Sequence, residues 1–347
     1  MQVGIFDWID RRPAPLPQIY EERLKFLEVA DRAGFYCYHL AEHHFAPIST
    51  VPSPSIFLAA VAQRTKRLHF GPLCYLLPLY TPARLIEEIC MLDNLSGGRL
   101  EVGIGRGVSP FELGFAGVDP AKSKAMYEEA LDTIVEGLTH QTLNHQGEYY
   151  RYKNVPMELR PVQQPHPPFW YPTHSPESIA AVGARGINVI TVGPDRRLHE
   201  LADMYRDQWD KHRHTAGRLN TQLATPFFGA TKQVFLAETD AEAERIARPA
   251  YEDWRKNITW LFHRELGANL PLQAGGMFGD YDSAVGGGGG LLVGSPAKVR
   301  EHMQRTAADS GVNYIMCSFH WGSLTHAEAL HSLELFASEI LPELQSA

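Results

Sequence analysis

Apolar runs of strand length alternate with amphipathic runs of helix length along this chain, and that alternation is its strongest constraint on fold. The strand-like runs are Val3 to Phe6, Tyr36 to Ala41, Leu68 to Leu76, Leu100 to Gly105, Phe169 to Thr173, Ile187 to Thr191, a strand within Gln222 to Ala237, and Asn313 to Phe319. The helix-like runs between and after them are Gln18 to Ala33, Pro54 to Gln63, Pro82 to Leu95, Ser123 to Leu138, Pro176 to Arg185, Leu198 to His212, Ser295 to Asp309 and His326 to Leu344. In the first helix Leu24, Leu27 and Ala30 share one face, and Gly34 supplies its stop. Eight βα units in one chain of 347 residues predict a single (β/α)8 TIM barrel spanning residues 1–347. A doubly wound open sheet would call for a break in composition at a domain boundary, and none is visible.

Two stretches interrupt the alternation. Gln141 to Pro168 holds five prolines, at 156, 161, 165, 167 and 168, and is expected to be an extended crossing loop. Residues of about 240–294 form an insertion before the last βα unit. It has helical pattern from Ala241 to Arg264, then Gly275-Gly276 and the run Gly286 to Gly290. Glycine runs hold no single backbone conformation, so this segment reads either as a passive loop or as a mobile lid over the barrel mouth.

Composition excludes several classes of function. A net charge of −8 with no basic block argues against nucleic acid as a partner. No apolar run approaches the roughly 20 residues of a membrane span. The chain opens directly on a strand pattern, without a basic region and long apolar core, so a cytoplasmic location is expected. Cys37, Cys74, Cys90 and Cys317 have neither zinc nor disulfide spacing and are expected to be reduced and buried.

In a parallel barrel the chemistry lies at the C-terminal strand ends, and these carry the informative motifs. Strand two runs into Glu42-His43-His44-Phe45, two imidazoles able to exchange protons near neutral pH. Strand three contains Leu73-Cys74-Tyr75. Strand four ends in Gly103-Ile104-Gly105-Arg106-Gly107, small residues that admit a ligand to the backbone beside one guanidinium suited to phosphate. Strand five ends in Thr173-His174-Ser175-Pro176-Glu177-Ser178, where hydroxyls meet a helix N-terminus, a natural anion site. Together the last two suggest one phosphate held between adjacent strands. Strand eight ends in Ser318-Phe319-His320-Trp321. Sixteen histidines and the His43-His44 pair invite a metal-dependent barrel hydrolase. Such enzymes want His-x-His at strand one, where this chain has Phe6-Asp7-Trp8, so no metal site is expected.

Over nearly its whole length the chain resembles the bacterial luciferase-like flavin-dependent monooxygenases. The likeness rests on Gly34-Phe35, on Glu42-His43-His44-Phe45, on Gly71 through Pro78 and on Pro82-Ala83-Arg84. It continues through Asp93-Asn94-Leu95-Ser96-Gly97-Gly98-Arg99, Gly103-Ile104-Gly105-Arg106-Gly107, Arg185-Gly186 and Gly294-Ser295-Pro296. The resemblance implies reduced FMN and O₂ as co-reactants and oxygenation of a small organic substrate through a flavin C4a-peroxide. It implies His43 as the catalytic acid/base, with Glu42 or His44 orienting it. The FMN phosphate would be held by Arg106, Ser175 and Ser178 with nearby His174, and the flavin ring would pack on a cis peptide at Leu73-Cys74. Phe6, Trp8, His44, Ser109, His320 and Trp321 are the candidate substrate-pocket residues. No dinucleotide fingerprint is present, so reduced flavin is expected from a separate flavin reductase. A homodimer is expected, with Leu85, Ile86, Ile89 and Leu92 of Pro82 to Leu95 as the candidate interface row. Gly105 stands where the light-emitting subunit has a reactive cysteine, so light emission is not expected. A deazaflavin-dependent oxidoreductase and a non-catalytic flavin-binding protein are the alternatives.

Overall fold

The structure is a computed structural model that describes residues 1–266, 279–286 and 290–346. Its eight barrel strands are β1 (Gln2–Asp7), β2 (Cys37–Leu40), β3 (His69–Pro72), β4 (Val102–Gly105), β5 (Phe169–Pro172), β6 (Asn188–Thr191), β7 (Phe228–Leu236) and β8 (Tyr314–Ser318). All are parallel, with spatial order β3-β2-β1-β8-β7-β6-β5-β4. A bridge between Phe70 and Leu100, and pairing of the short strand Tyr75–Leu76 with β4, join the two ends and complete the ring. A further strand, Leu291–Gly294, pairs with the far end of β7.

The eight predicted strands all form because each is apolar on both sides, as a strand enclosed by helices must be. Val3, Ile5, Leu40, Val102, Ile104, Val189, Val234 and Ile315 are all buried. The helix Leu16–Ala33 ends on Gly34 in the left-handed conformation, φ 90°, and Pro82 occupies the first turn of the helix Pro82–Ser96. A separate set of buried side chains fills the barrel interior: Leu73, Trp170, Ile190, Tyr314 and Met316, with Phe6, Tyr36 and Phe227 packed against it. His39 lies in this interior, its Nε2 2.9 Å from the Tyr314 hydroxyl, and burial drives its pKa down to about 3. It is thus a neutral structural group.

The expected loop from Gln141 to Pro168 contains an antiparallel hairpin of Thr142–Gln146 and Arg151–Pro156. The insertion begins as one long helix, Asp240–Leu266. It packs over the barrel through a second core that includes Tyr251, Trp254, Ile258, Trp321 and Phe235. Of the glycines expected to form a lid, Gly275, Gly276 and Gly287 to Gly289 lie outside the described residues. Leu85, Ile86, Ile89 and Leu92, the expected interface row, are buried within the chain itself. The apolar side chains left exposed on that side are Ile56 (75% exposed), Met91 and Leu95.

Candidate functional site

The loops after β2 and β4 meet over the barrel mouth. After β2, Glu42 turns inward and is wholly buried. Its Oε1 lies 2.8 Å from His44 Nε2, and its Oε2 accepts from the Tyr80 hydroxyl at 2.8 Å and the Leu76 N–H at 3.3 Å. Burial lifts the Glu42 pKa above the carboxylate range, against these hydrogen bonds. Burial pulls His44 down, but its hydrogen bond to Glu42 and the charge of that group outweigh it, and the net direction is up. The pair therefore retains a proton well, with His44 reaching the mouth and Glu42 buried beneath it.

His43 has a different partner. Its Nδ1 lies 3.2 Å from Oε1 of Glu112, which also accepts the His44 backbone N–H at 2.7 Å. The expected orienting groups, Glu42 or His44, are thus replaced by Glu112, a residue the sequence did not single out. A buried carboxylate accepts only, so Nδ1 carries the proton of a neutral His43 and Nε2 is left with its lone pair. Nε2 makes no hydrogen bond to a described residue, and the ring is partly accessible. Glu112 sits on a short helix, Pro110–Phe115, whose cap is the expected pocket residue Ser109: its buried Oγ accepts from Glu112 N–H at 3.4 Å.

The floor and the other side of the mouth come from β3, β4 and β5. The Leu73–Cys74 peptide is cis. Cys74 is buried, which raises its thiol pKa, and its Sγ fills the space beside Gly105: a Cβ there would stand 2.2 Å from it. Arg106 is exposed and makes no hydrogen bond or ion pair to a described residue. Its charge reaches the Tyr171 hydroxyl on β5 and offsets part of the rise that burial causes there. On that next strand Ser175 caps the helix Pro176–Arg185, its Oγ accepting from Ser178 N–H at 3.2 Å. The sequence placed this cap correctly. Pro176 has no N–H, and the Glu177 N–H remains directed out of the helix end. His174 is exposed, with its carbonyl accepting from Arg197. A free guanidinium beside a capped helix N-terminus, on adjacent strands, fits a phosphate monoester, and the cis peptide and Gly105 leave an apolar floor next to it.

The remaining candidates divide. Phe6 and Trp8 are half-buried at the end of β1, ring centroids 4.6 Å apart, and Trp8 lies against Trp254 of the insertion helix at 5.3 Å. His320 and Trp321 are buried: His320 Nε2 lies 3.1 Å from the Leu324 carbonyl, and the Trp321 indole donates to Ser318 O. Trp321 is a core residue under the insertion helix and not part of the open mouth. The mouth instead carries Phe45 and Phe115, 60% and 63% exposed, with centroids 4.0 Å apart. Among the described residues no group of His, Cys, Asp or Glu is placed to hold a metal ion, and no helix is long and apolar enough to cross a membrane.

Comparison with known proteins places the fold and the family. The chain is 37% identical to the uncharacterized protein y4wF of Sinorhizobium fredii, over 97% of this chain and 96% of that one. Its fold superposes on monooxygenase RslO1 of Streptomyces bottropensis with a TM-score of 0.83 and 25% identity, covering 99% of each chain. It also matches the oxygenating constituent of 3,6-diketocamphane monooxygenase of Pseudomonas putida, a Type II Baeyer-Villiger monooxygenase in complex with FMN. There the TM-score is 0.80 at 24% identity, over 99% of this chain and 98% of that one. The model of the luciferase-like monooxygenases matches residues 1–314, so the chain belongs to that family and is an enzyme of its oxidoreductase class.

Proposed function

We propose that this enzyme is the oxygenating component of a two-component flavin system, taking reduced FMN from a separate reductase and using O₂ to oxygenate a small organic substrate. The observation that carries the reading is the Arg106 guanidinium, unpaired among the described residues, at the strand end next to the Ser175-capped helix, in the same loop that carries Glu112 to His43. Arg106, the Ser175 hydroxyl and the Glu177 N–H would hold the FMN phosphate, and Leu73-Cys74 with Gly105 would form the floor under its ring. Bound and reduced, FMN supplies the electrons that activate O₂. His43 would take or return a proton at Nε2 while Glu112 fixes the ring through Nδ1. Buried Leu73 supplies apolar surface at the reacting centre, and Phe45 and Phe115 form its open apolar rim.

Fluorescence titration of the flavin-free protein tests the cofactor: FMN should bind, and no binding at high micromolar flavin would remove it. His43→Ala should keep FMN affinity and lose coupled oxygenation, with reducing equivalents diverted to hydrogen peroxide. Unchanged coupled turnover would take His43 out of the mechanism. We also propose a homodimer, in which the exposed face of Ile56, Met91 and Leu95 is covered by a second copy. Light scattering reads its mass directly.

A further inference from the structure

The helix Pro110–Phe115 is six residues long and cannot hold itself in place. Its position is set by what it touches. Leu113 is buried, and the Phe115 ring lies against Phe45. The Phe111 ring meets Trp260 of the insertion helix edge-on, centroids 5.8 Å apart and planes at 84°. The residue after Phe111 is Glu112, the carboxylate that holds both His43 Nδ1 and the His44 backbone.

The insertion helix is in turn fixed at the far side of the mouth. Asn257 donates to Asp10 Oδ2 at 3.1 Å and to the Arg11 carbonyl at 3.2 Å, and Trp254 packs on Trp8. Asn257 and Trp260 are three apart and share a helix face, so the anchor at β1 and the contact to Phe111 belong to one rigid body. We infer that Trp260 is a positioning residue: through Phe111 it fixes the Glu112 carboxylate beneath His43, so that the docking of the insertion helix and the orientation of the acid–base imidazole are one mechanical event. The Nδ1 to Oε1 distance of 3.2 Å is at the long end of the hydrogen-bond range, so a shift of the short helix by about 1 Å breaks it. Displacements of that size near a reacting group cost up to about 100-fold in rate. The inference rests on the reading of His43 as the proton-handling group, but the link itself is structural and can be measured without turnover.

The test uses the full-length protein without flavin, labelled with ¹⁵N-histidine, with the His43 ring signals assigned by His43→Gln. In the wild type His43 should show a single tautomer with the proton on Nδ1. Glu112→Gln and Trp260→Ala should each replace it with a tautomer mixture, and Trp260→Phe, which restores an aromatic edge, should recover most of it. Phe111→Ala should reproduce the Trp260→Ala result, and the double variant should lose no more than either single one. FMN affinity should stay within about twofold in all of them. A His43 tautomer unchanged in both Trp260→Ala and Phe111→Ala would overturn the link, as would additive losses in the double variant. Trp260→Phe covers the case in which Trp260→Ala fails to fold: a mixture in that folded variant as large as in Glu112→Gln would also overturn it. If His43→Ala leaves coupled turnover intact while the tautomer responds to Trp260, the functional reading fails and the positioning link stands.

Discussion

Asp10 offers a measurement in which sign and size both follow from the structure. It lies in the loop after β1, buried, and accepts the Gly322 N–H at 2.8 Å and the Asn257 side-chain N–H at 3.1 Å. Burial lifts its pKa from 3.8 to about 7; the two hydrogen bonds and Arg23 pull it back, and Asp7 pushes it further up. The folded protein therefore holds a proton on Asp10 between about pH 4 and 7 that the unfolded chain has released. Stability falls as pH rises through that window and levels off above it. A separation of about 3 on the pH scale, at about 1.4 kcal/mol each, caps the loss at about 4 kcal/mol. Asp10→Asn keeps an oxygen for both donors and cannot ionise. Its advantage over the wild type should therefore grow by about 2–3 kcal/mol from pH 5 to pH 8. Urea unfolding at the two pH values measures this, and every other titrating group cancels in the difference between proteins. A variant whose advantage is the same at pH 5 and pH 8 would show that Asp10 does not titrate in this window, and the argument from burial would fail.

Two further substitutions probe the cofactor side. Arg106→Ala should weaken FMN by about 10- to 100-fold, the worth of a charged hydrogen bond, and leave riboflavin nearly unaffected; an equal loss for both ligands, read by fluorescence titration, would refute a phosphate role. Gly105→Ala puts a Cβ 2.2 Å from Cys74 Sγ and should cost about 1–3 kcal/mol in urea unfolding. Adding Cys74→Ala should recover most of that loss, and purely additive effects would show that the two sites do not meet.

The barrel was legible because a parallel strand enclosed by helices must be apolar on both faces, and each such run is bounded by glycine, proline or polar residues. What escaped is held by side chains distant in sequence. The hairpin Thr142–Gln146 and Arg151–Pro156 is largely exposed and turns only Leu143, Tyr152 and Val155 toward the core, too few for a clear alternation. Its turn is built by Glu129 of the helix Ser123–Thr139, whose carboxylate accepts the backbone N–H groups of Glu148, Tyr149 and Tyr150. Nothing in the sequence of residues 141–168 announces a carboxylate from another helix, so the prolines were the only visible signal there. The interface row failed for a related reason. Leu85, Ile86, Ile89 and Leu92 form the apolar stripe of their helix, but a stripe of that width is what a helix needs to pack on its own barrel, which is where it lies.

At the site the same distinction decides which assignments hold. Glu42-His43-His44 was visible as a strand-end motif, and Ser175 as a cap, because both are local. The orienting partner of His43 was misassigned although one rule could have excluded the error. In extended chain, neighbouring side chains point to opposite faces and residues two apart share one. Glu42 must then face His44, as it does at 2.8 Å, and cannot serve His43. His43 needed an acceptor from elsewhere, and it comes from two strands away, as the acidic residue in the first turn of the helix after β4. Glu112 fills that place from 69 positions away. The two histidines are therefore not a pair with a shared carboxylate. They are two imidazole–carboxylate units, His44 on Glu42 sealed by Tyr80 and His43 on Glu112 of a short helix, joined where Glu112 also accepts the His44 backbone N–H. The His43 ring answers to the insertion helix through Glu112 and the Phe111–Trp260 contact, which is why Trp260 is where control of its orientation should be sought.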